Sequence, residues 1–480
     1  MSELGGTVAD QMSARSVRLV LPAASIRAPF YEALAVVLLS ALLLSVAIWN
    51  GFPIIFYDTG AYMLQGLGHV FLAERSQVYS LFLGGVGGRQ SLWLVAIAQC
   101  IVVAFVMTQF ARALRPALSL WALLVIGALV VLTTGLPWYA GQIEPDCFVA
   151  LVPLVLYLFA FQGARVGPFR LAVLFAVVVF AMASHPSHIA LAAGLLAVLI
   201  AVRLAPTRWI GNLPRPRIAL GVAGLALAIT TVVACNFAFT RQVFLSRSGA
   251  IFLEARMMED GLIAPVLDAS CPQSGFRSCA YKDRLPSRAD AWLWEEERSP
   301  FRKLGGFRKM EPEAAALVGE SLMRFPAENL VAAIKVTALQ FFWFQTGDGI
   351  VPQEWVLNRE FKIAIPHQVL DYDHAYQQEG AIWFLPVNLV HVPVGLLSLL
   401  GLYLVLSDAY RRRAARPGLL AAFILVALLG NAFVCGVFSG PHGRYQSRIM
   451  WLPTFTVLLL AWPRIEREAR CRFAAQHARA

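Results

Sequence analysis

Asp58 and Tyr62, just after the first long apolar stretch, are the first residues whose types and spacing could do chemistry. They lie in the run Phe-Tyr-Asp-Thr-Gly-Ala-Tyr, and in a helix their spacing would place both side chains on one face. A carboxylate at the boundary between lipid and water can accept a proton from a substrate hydroxyl or orient it, and a tyrosine can position a ring. Alternatively, Asp58 caps an interfacial helix.

Glu144 and Asp146 form a second carboxylate pair, in the run Glu-Pro-Asp ahead of another apolar stretch. Two carboxylates so close together could lie near a substrate or a metal ion. The alternative is structural, because Asp146 could cap the helix that follows.

His185 and His188 lie between two apolar stretches, and in a helix they could share a face and contact a metal ion or a phosphate. Two histidines are not a full set of metal ligands, so capping or polar packing is an alternative and phosphate or acceptor hydrogen bonding is favoured. Asp348, between two glycines, could line the same cleft or belong to a turn.

His442, Arg444 and Arg448 lie in a short polar run before the last apolar stretch. An arginine can bind a phosphate through two hydrogen bonds, and a departing phosphate needs such a charge. Contact with lipid headgroups or pairing with a loop carboxylate would also explain these residues.

Cys271 and Cys279 lie eight residues apart in a long polar connection, where a disulfide is expected if this connection faces an oxidising compartment. Four other cysteines fall in or beside apolar stretches and are expected to behave as small hydrophobes: Cys100, Cys147, Cys235 and Cys435.

The elements that must position these residues are helices in lipid. Of 480 residues, 58% are hydrophobic and only 14% are charged, and the mean hydropathy is +0.64. This composition predicts an all-α polytopic membrane protein. The basic residues that give the net charge of +11 are spread over short connections, which disfavours binding of nucleic acid. About ten spans are predicted, at 32–49, 91–110, 118–136, 147–162, 171–183, 189–202, 218–239, 382–405, 418–438 and 449–463.

The distribution of arginines predicts the orientation of these spans. The N-terminal segment contains Arg15 and Arg18, and alternate connections are also basic, whereas the connections 137–146 and 184–188 contain no Lys or Arg. Because basic connections stay in the cytoplasm, both termini are expected there, with the candidate residues on the outer face.

This orientation gives the chain two long outer connections, the second of which is expected to be folded and to contain an interfacial helix near 329–345. The predicted layout is a cytoplasmic tail at 1–31, a seven-helix module at 32–239 with an outer loop at 50–90, an outer region at 240–381, a three-helix module at 382–463 and a cytoplasmic tail at 464–480.

An acidic residue in a long first outer loop resembles the layout of the GT-C class of membrane glycosyltransferases, which use polyprenyl-phosphate-linked sugars. The segment Arg75-Ser76-Gln77-Val78-Tyr79 is similar to the Arg-Pro-Pro-x-Tyr segment that some members carry, although both prolines are absent here. The resemblance covers roughly residues 30–240.

The resemblance implies an enzyme of the bacterial inner membrane that transfers the sugar to a lipid or glycan acceptor, with a divalent metal as an optional cofactor. Asp58 would then activate the acceptor, with Tyr62 beside it. Arg75, His442, Arg444 and Arg448 would bind the donor phosphate. The acceptor side of the cleft would contain Glu144, Asp146, His185, His188 and Asp348.

Three other functions remain open. A glycan polymerase or ligase would depend on Arg and His of a large outer loop rather than on Asp58. A flippase or transporter of lipid-linked glycans should have polar residues within its spans, and these are scarce here. A noncatalytic partner in envelope assembly would tolerate single substitutions in its outer loops.

Overall fold

The computed structural model of the protein describes residues 23–68, 70–211, 213–295 and 299–477. Within these ranges the fold is all-α, and the extended pairing is a single bridge between Ile54 and Gln142. The chain is an all-α polytopic membrane protein, as its composition predicts. Arg15 and Arg18 of the predicted N-terminal tail lie outside the described residues.

The first half of the chain forms twelve helices. They are α1 (Ala23–Leu43), α2 (Ser45–Asn50), α3 (Tyr57–Gly68), α4 (Gln77–Gly85), α5 (Leu92–Leu114), α6 (Leu120–Thr133), α7 (Leu136–Ala140), α8 (Leu151–Tyr157), α9 (Pro168–Ala183), α10 (Pro186–Leu204), α11 (Thr207–Ile210) and α12 (Ala219–Thr240). Short turns of 3-10 helix at Pro145–Phe148 and Gly163–Arg165 and a π turn at Leu158–Gln162 flank α8.

The long connection after α12 is helical as well. It contains α13 (Gly249–Glu259), α14 (Ala264–Ser270), α15 (Ala289–Leu293), α16 (Pro300–Lys303), α17 (Gly306–Arg324), α18 (Pro326–Phe342), α19 (Glu354–Val356), α20 (Lys362–Ala364) and α21 (Val369–Asp373). The chain then finishes with α22 (Phe384–Arg412), α23 (Ala415–Phe438), α24 (Gly443–Ser447) and α25 (Trp451–His477).

Seven helical segments of the described chain are long and apolar enough to cross a membrane. They are Pro29–Asn50, Leu92–Leu114, Pro145–Arg165, Pro186–Leu204, Ala219–Thr240, Phe384–Arg412 and Ala415–Phe438. The other three predicted spans are helical too, but α6 and α9 have only 14 and 16 residues, and α25 becomes charged from Arg464 onward. The predicted number of ten crossings is therefore not established.

Local sequence sets where several of these helices begin. The Ser91 and Ser119 hydroxyls cap α5 and α6 by accepting hydrogen bonds from the backbone N–H groups of Trp93 and Ala122. Proline occupies the first position of α9 and of α10, where its missing N–H costs nothing. These starts fix which polar residues lie at the helix ends.

Residues 249–324, called the insertion domain, have a hydrophobic core of their own, with Ile251, Trp292, Phe301 and Met310 all buried. Its Cys271 and Cys279 form a disulfide. The next helix, α18, covers the predicted interfacial helix and packs on α23, where the Gln340 side chain hydrogen bonds with the backbone of His442 in both directions, each at 2.8 Å.

Residues 349–381, called the cap segment, lie across the ends of the membrane helices and pack on α3. The Gln368 side chain accepts a hydrogen bond from the backbone N–H of Leu92, and Gln377 contacts Asn50 and Ile55. The face of the helix bundle beneath the cap segment carries the candidate residues and is called the site side.

Candidate functional site

Six predicted residues meet on the site side, although they come from four distant parts of the chain. They are Asp58, Arg75, Glu144, Asp146, Arg444 and Arg448, and together they are called the arginine–carboxylate cluster. Because each follows or precedes a membrane helix at the same end of the bundle, the helices bring them together.

Asp58 lies in the first turn of α3, but its carboxylate pairs with arginines. It forms an ion pair with Arg75, and its Oδ2 atom is 3.9 Å from Nη2 of Arg444. The backbone N–H of Phe56 donates a hydrogen bond of 3.0 Å to the Thr59 hydroxyl. Asp58 retains 21% side-chain exposure, so a substrate can reach it.

Arg75 is held in place by the start of α4. The hydroxyl of the next residue, Ser76, accepts a hydrogen bond from the N–H of Val78 and donates to the carbonyl of Ala183 at 2.7 Å. This contact fixes the loop against the end of α9. Burial opposes the charge of Arg75, but Asp58 and Tyr62 raise its pKa above the ordinary value.

Arg444 approaches the carboxylates of Asp58 and Asp146 without a direct hydrogen bond to either. Its Nε atom lies 3.8 Å from Asp146, and its Nη2 atom lies 3.9 Å from Asp58. The guanidinium lies 3.7 Å from the centre of the Phe56 ring. The Phe56 ring is also packed closely against Gly349, where an added Cβ would lie 2.1 Å from its Cε2 atom.

Arg448 and Asp146 form a buried ion pair, 2.5 Å apart, with side-chain exposures of 0% and 2%. Nη2 of Arg448 also lies 3.4 Å from the Ser187 hydroxyl. Oδ1 of Asp146 accepts a hydrogen bond from Arg448 and its Oδ2 atom has no hydrogen-bond partner among the described residues, so the carboxylate does not cap the helical turn. Removing one partner would leave an uncompensated buried charge, at a cost of about 3–5 kcal/mol.

Glu144 is 1% exposed, and its Oε1 atom lies 3.3 Å from the Thr59 hydroxyl. Burial, together with the negative charges of Asp58 and Asp146, raises the pKa of Glu144 well above its ordinary value. The cluster brings three guanidinium groups against Asp58, Asp146 and this carboxyl group, whose raised pKa favours its neutral form.

Several N–H groups of the cluster have no hydrogen-bond acceptor in the described chain. They are Nε of Arg75, Nε and Nη1 of Arg444, and Nε of Arg448. Burial alone would lower the pKa of Arg444, but Asp146, Tyr445 and Asp58 raise it above its ordinary value, so the residue stays charged. Buried donors without partners are costly, and an anion would satisfy them.

The histidine pair lies beside this cluster. His185 precedes α10 and caps it by accepting a hydrogen bond from the N–H of Ser187, so the expected shared helical face does not form. Nδ1 of His188 instead lies 2.7 Å from the carbonyl of Ala181. Burial and the neighbouring His188 and Arg448 lower the pKa of His185. The described residues hold no group of three or more His, Cys, Asp or Glu that could bind a metal.

Asp348 and His442 form the rim of the site. Their side chains are 3.4 Å apart and are 33% and 40% exposed. Asp348 also accepts a hydrogen bond of 3.4 Å from the backbone N–H of Arg444. This contact ties the start of α24 to the turn after α18.

Tyr62 is buried against Tyr79, with ring centres 4.8 Å apart, and the Tyr79 hydroxyl donates to Gln99 at 2.6 Å. Both rings are buried, and burial raises the pKa of each hydroxyl well above its ordinary value. Tyr62 supports α3 rather than facing open space.

Sequence reasoning missed Phe56, Thr59, Ser187 and Glu360. The first three are neighbours of predicted residues along the chain, so their position gave a weak signal. Glu360 had none: it is 1% exposed and packs on α3, where a Cβ at Gly60 would lie 2.8 Å from its Cγ atom.

Comparison of the chain with protein-family models, with curated proteins and with solved structures gives no match. The class of the protein thus rests on its own fold and site. It is an all-α polytopic membrane protein with a buried arginine–carboxylate cluster at one end of its helices.

Proposed function

We propose that the protein is a membrane glycosyltransferase that moves a sugar from a polyprenyl-phosphate donor to a lipid or glycan acceptor. One observation carries this proposal. A partly exposed carboxylate, Asp58, lies 3.9 Å from an arginine, Arg444, that has two buried N–H groups without acceptors. A base and an anion-binding group side by side suit transfer away from a phosphate.

In this mechanism Asp58 takes the proton from the acceptor hydroxyl as the oxygen attacks the anomeric carbon. The new bond from carbon to oxygen forms as the bond to the phosphate oxygen breaks, and the phosphate leaves with the electron pair. Because attack and departure occur on opposite faces of the sugar, the anomeric configuration is inverted. Arg444 offers its free N–H groups to the departing phosphate.

The charge of the cluster supports an anionic substrate. Three guanidinium groups meet in the cluster, and the raised pKa of Glu144 weakens one of the negative charges that oppose them. A phosphate would supply negative charge there. His442 on the rim could add a hydrogen bond as the donor enters.

The distribution of basic residues supports an orientation with the site side outside the cytoplasm. The site-side connection 184–188 has no Lys or Arg, whereas α22 ends with Arg411 and Arg412 and is followed by Arg413. We therefore place the protein in the bacterial inner membrane, with both termini in the cytoplasm. Polyprenyl-phosphate sugars would enter from the leaflet on the site side.

The experiment compares wild type with Asp58→Asn, reconstituted in vesicles, for transfer of labelled sugar from a panel of polyprenyl-phosphate donors. Asp283→Asn, an exposed site in the insertion domain, is the matched control. We expect Asp58→Asn to lose about 10²- to 10⁴-fold in rate and the control to lose none.

Equal activity of Asp58→Asn and wild type would contradict the role of Asp58 and favour a polymerase or ligase. Binding of lipid-linked sugar without transfer from any donor would favour a transporter or an assembly partner. Thermal unfolding of each variant shows whether folding is equal.

A further inference from the structure

The cap segment is apolar on two faces. Val356, Phe361, Ile365 and Tyr372 are fully buried on the inner face. Phe361 and Tyr372 stack at 4.9 Å between ring centres, and both contact Phe52 at the end of the first span. This face belongs to the main hydrophobic core.

The other face exposes large apolar side chains. Trp355, Ile363 and Leu370 are 48%, 68% and 70% exposed. Exposed apolar area costs about 25 cal/mol per Å² in water, so three large apolar side chains exposed within one short segment favour a cover for this surface.

The cap segment is fixed to the ends of three candidate spans. The backbone N–H of Gln377 donates to the side chain of Asn50 at 2.8 Å, and Leu92 donates to Gln368 at 2.9 Å. The chain then passes through Trp383, which is 70% exposed, directly into α22. These contacts hold the segment at the level where membrane helices end.

Its exposed face continues the surface of those spans. Trp49 at the end of the first span is 51% exposed and contacts Tyr376 of the cap segment at 5.3 Å, and Leu385 in the first turn of α22 is 55% exposed. Trp and Tyr are enriched where membrane proteins meet the lipid headgroups.

Charged side chains flank the exposed apolar residues: Glu354 and Asp371 are acidic, and two others are cations. The Arg359 side chain is 59% exposed, and its guanidinium lies 5.2 Å from the centre of the Trp355 ring. Lys362 is exposed as well, one residue before Ile363. Long basic side chains beside apolar ones suit a surface whose phosphates lie just above its hydrocarbon.

We propose that the cap segment is an interfacial element that inserts Trp355, Ile363 and Leu370 into the lipid leaflet on the site side. Arg359 and Lys362 reach the headgroup phosphates. Since the buried Glu360 packs on Gly60 of α3, the leaflet also supports the helix that carries Asp58. This inference concerns membrane contact and stands without the proposed activity.

The test uses the full-length protein in vesicles of phosphatidylcholine and phosphatidylglycerol. A nitroxide label is attached to Ile363→Cys and, separately, to Leu370→Cys, and its relaxation by oxygen and by a water-soluble nickel chelate is measured. Leu397→Cys, at a 66% exposed position within α22, is the lipid control. Asp283→Cys, whose native side chain is 84% exposed, is the water control. The signal from the same protein without an added cysteine is subtracted.

We expect both labels to give a ratio of oxygen to nickel accessibility several times that at Asp283→Cys and below that at Leu397→Cys, as suits a shallow position in the leaflet. A ratio at either cap site equal to that of Asp283→Cys would overturn the proposal. Thermal unfolding of each labelled protein is compared with wild type, and the Trp355→Cys label serves as a replacement site for a variant that unfolds.

Discussion

Arg256 of the insertion domain and Arg444 of the arginine–carboxylate cluster are both 8% exposed, yet their surroundings differ. Arg256 donates through Nε to Asp260 at 3.1 Å and pairs through Nη1 with Glu259 at 3.0 Å. Both partners are local, since Glu259 ends the same helix, α13, and Asp260 follows it directly. Arg444 has carboxylates at 3.8 and 3.9 Å and two N–H groups without acceptors.

The difference separates an arginine that stabilises the fold from one prepared for a ligand. Arg256 forms ion pairs with the carboxylates three and four positions further along the chain, so it needs no additional partner. Arg444 is held by packing on Phe56, and its Nε and Nη1 atoms are buried without a hydrogen-bond acceptor in the described chain. Burying unsatisfied donors is costly, and a site can recover that cost when its ligand binds.

The largest expected effect comes from Arg444→Ala. Transfer from a polyprenyl-phosphate donor should fall about 10²- to 10³-fold, because the leaving phosphate loses its charged donors. Initial rates at saturating donor measure this. Arg444→Lys keeps the positive charge but loses the paired N–H donors of the guanidinium, so it should recover only part of the rate. Full activity of Arg444→Ala would show that Arg444 does not differ from Arg256 in its importance for transfer.

Arg256→Ala should act on stability instead. Loss of its pairs with Glu259 and Asp260 should lower the free energy of unfolding of the insertion domain by about 1–3 kcal/mol, while transfer stays close to wild type. Thermal unfolding and the same transfer assay measure the two effects. A loss of transfer as large as that of Arg444→Ala would show that the insertion domain takes part in the reaction.

The pH dependence of stability should reveal Glu254, which is buried in the insertion domain without a partner for Oε2. Burial, and then the charge of Glu313, raises its pKa to about 8 from an ordinary 4.5. The folded state thus keeps a proton that the unfolded state has lost, so stability is present below pH 4.5 and is lost as the pH rises through about 8.

The slope is at most about 1.4 kcal/mol per pH unit. Glu254→Gln should make the free energy of unfolding less dependent on pH in this range. Glu328→Gln, at an exposed position, should leave that pH dependence unchanged. Identical pH profiles for Glu254→Gln and wild type would refute the assignment.

The smallest expected effect concerns Phe56, which positions Arg444. Phe56→Leu removes the ring under the guanidinium, a contact of roughly 1 kcal/mol, and should reduce transfer several-fold. Phe56→Tyr keeps a ring and should restore most of the rate. We expect the change mainly in the KM for the donor, and an equal loss in both variants would argue against positioning by the ring.

The sequence predicts much of the candidate site, because short connections between helices leave few places for polar residues. Asp58, Arg75, Asp146 and Arg444 all lie beside apolar stretches, at ends that alternate along the chain. Residues on one side of a membrane share a thin layer, so several of them meet. The sequence predicts that both histidines lie near the start of a helix. Pro186 makes α10 begin after His185, so His185 and His188 do not lie on one helical face.

Other features could not be read from the chain. Phe56 and Gly349 are far apart in sequence, and their contact under Arg444 depends on how the cap segment crosses α3. The same crossing places Glu360 on Gly60.

The sequence by itself determined the membrane class and the helical segments, because hydropathy and helix starts depend on residues close together in the chain. The tertiary structure decided which carboxylate meets which arginine. Asp146 and Arg448 are 302 residues apart, and Glu144 owes its raised pKa to burial, to Asp58 from a distant segment and to the nearby Asp146. Coulomb energy and desolvation depend on distance in space, which only the packed helices fix.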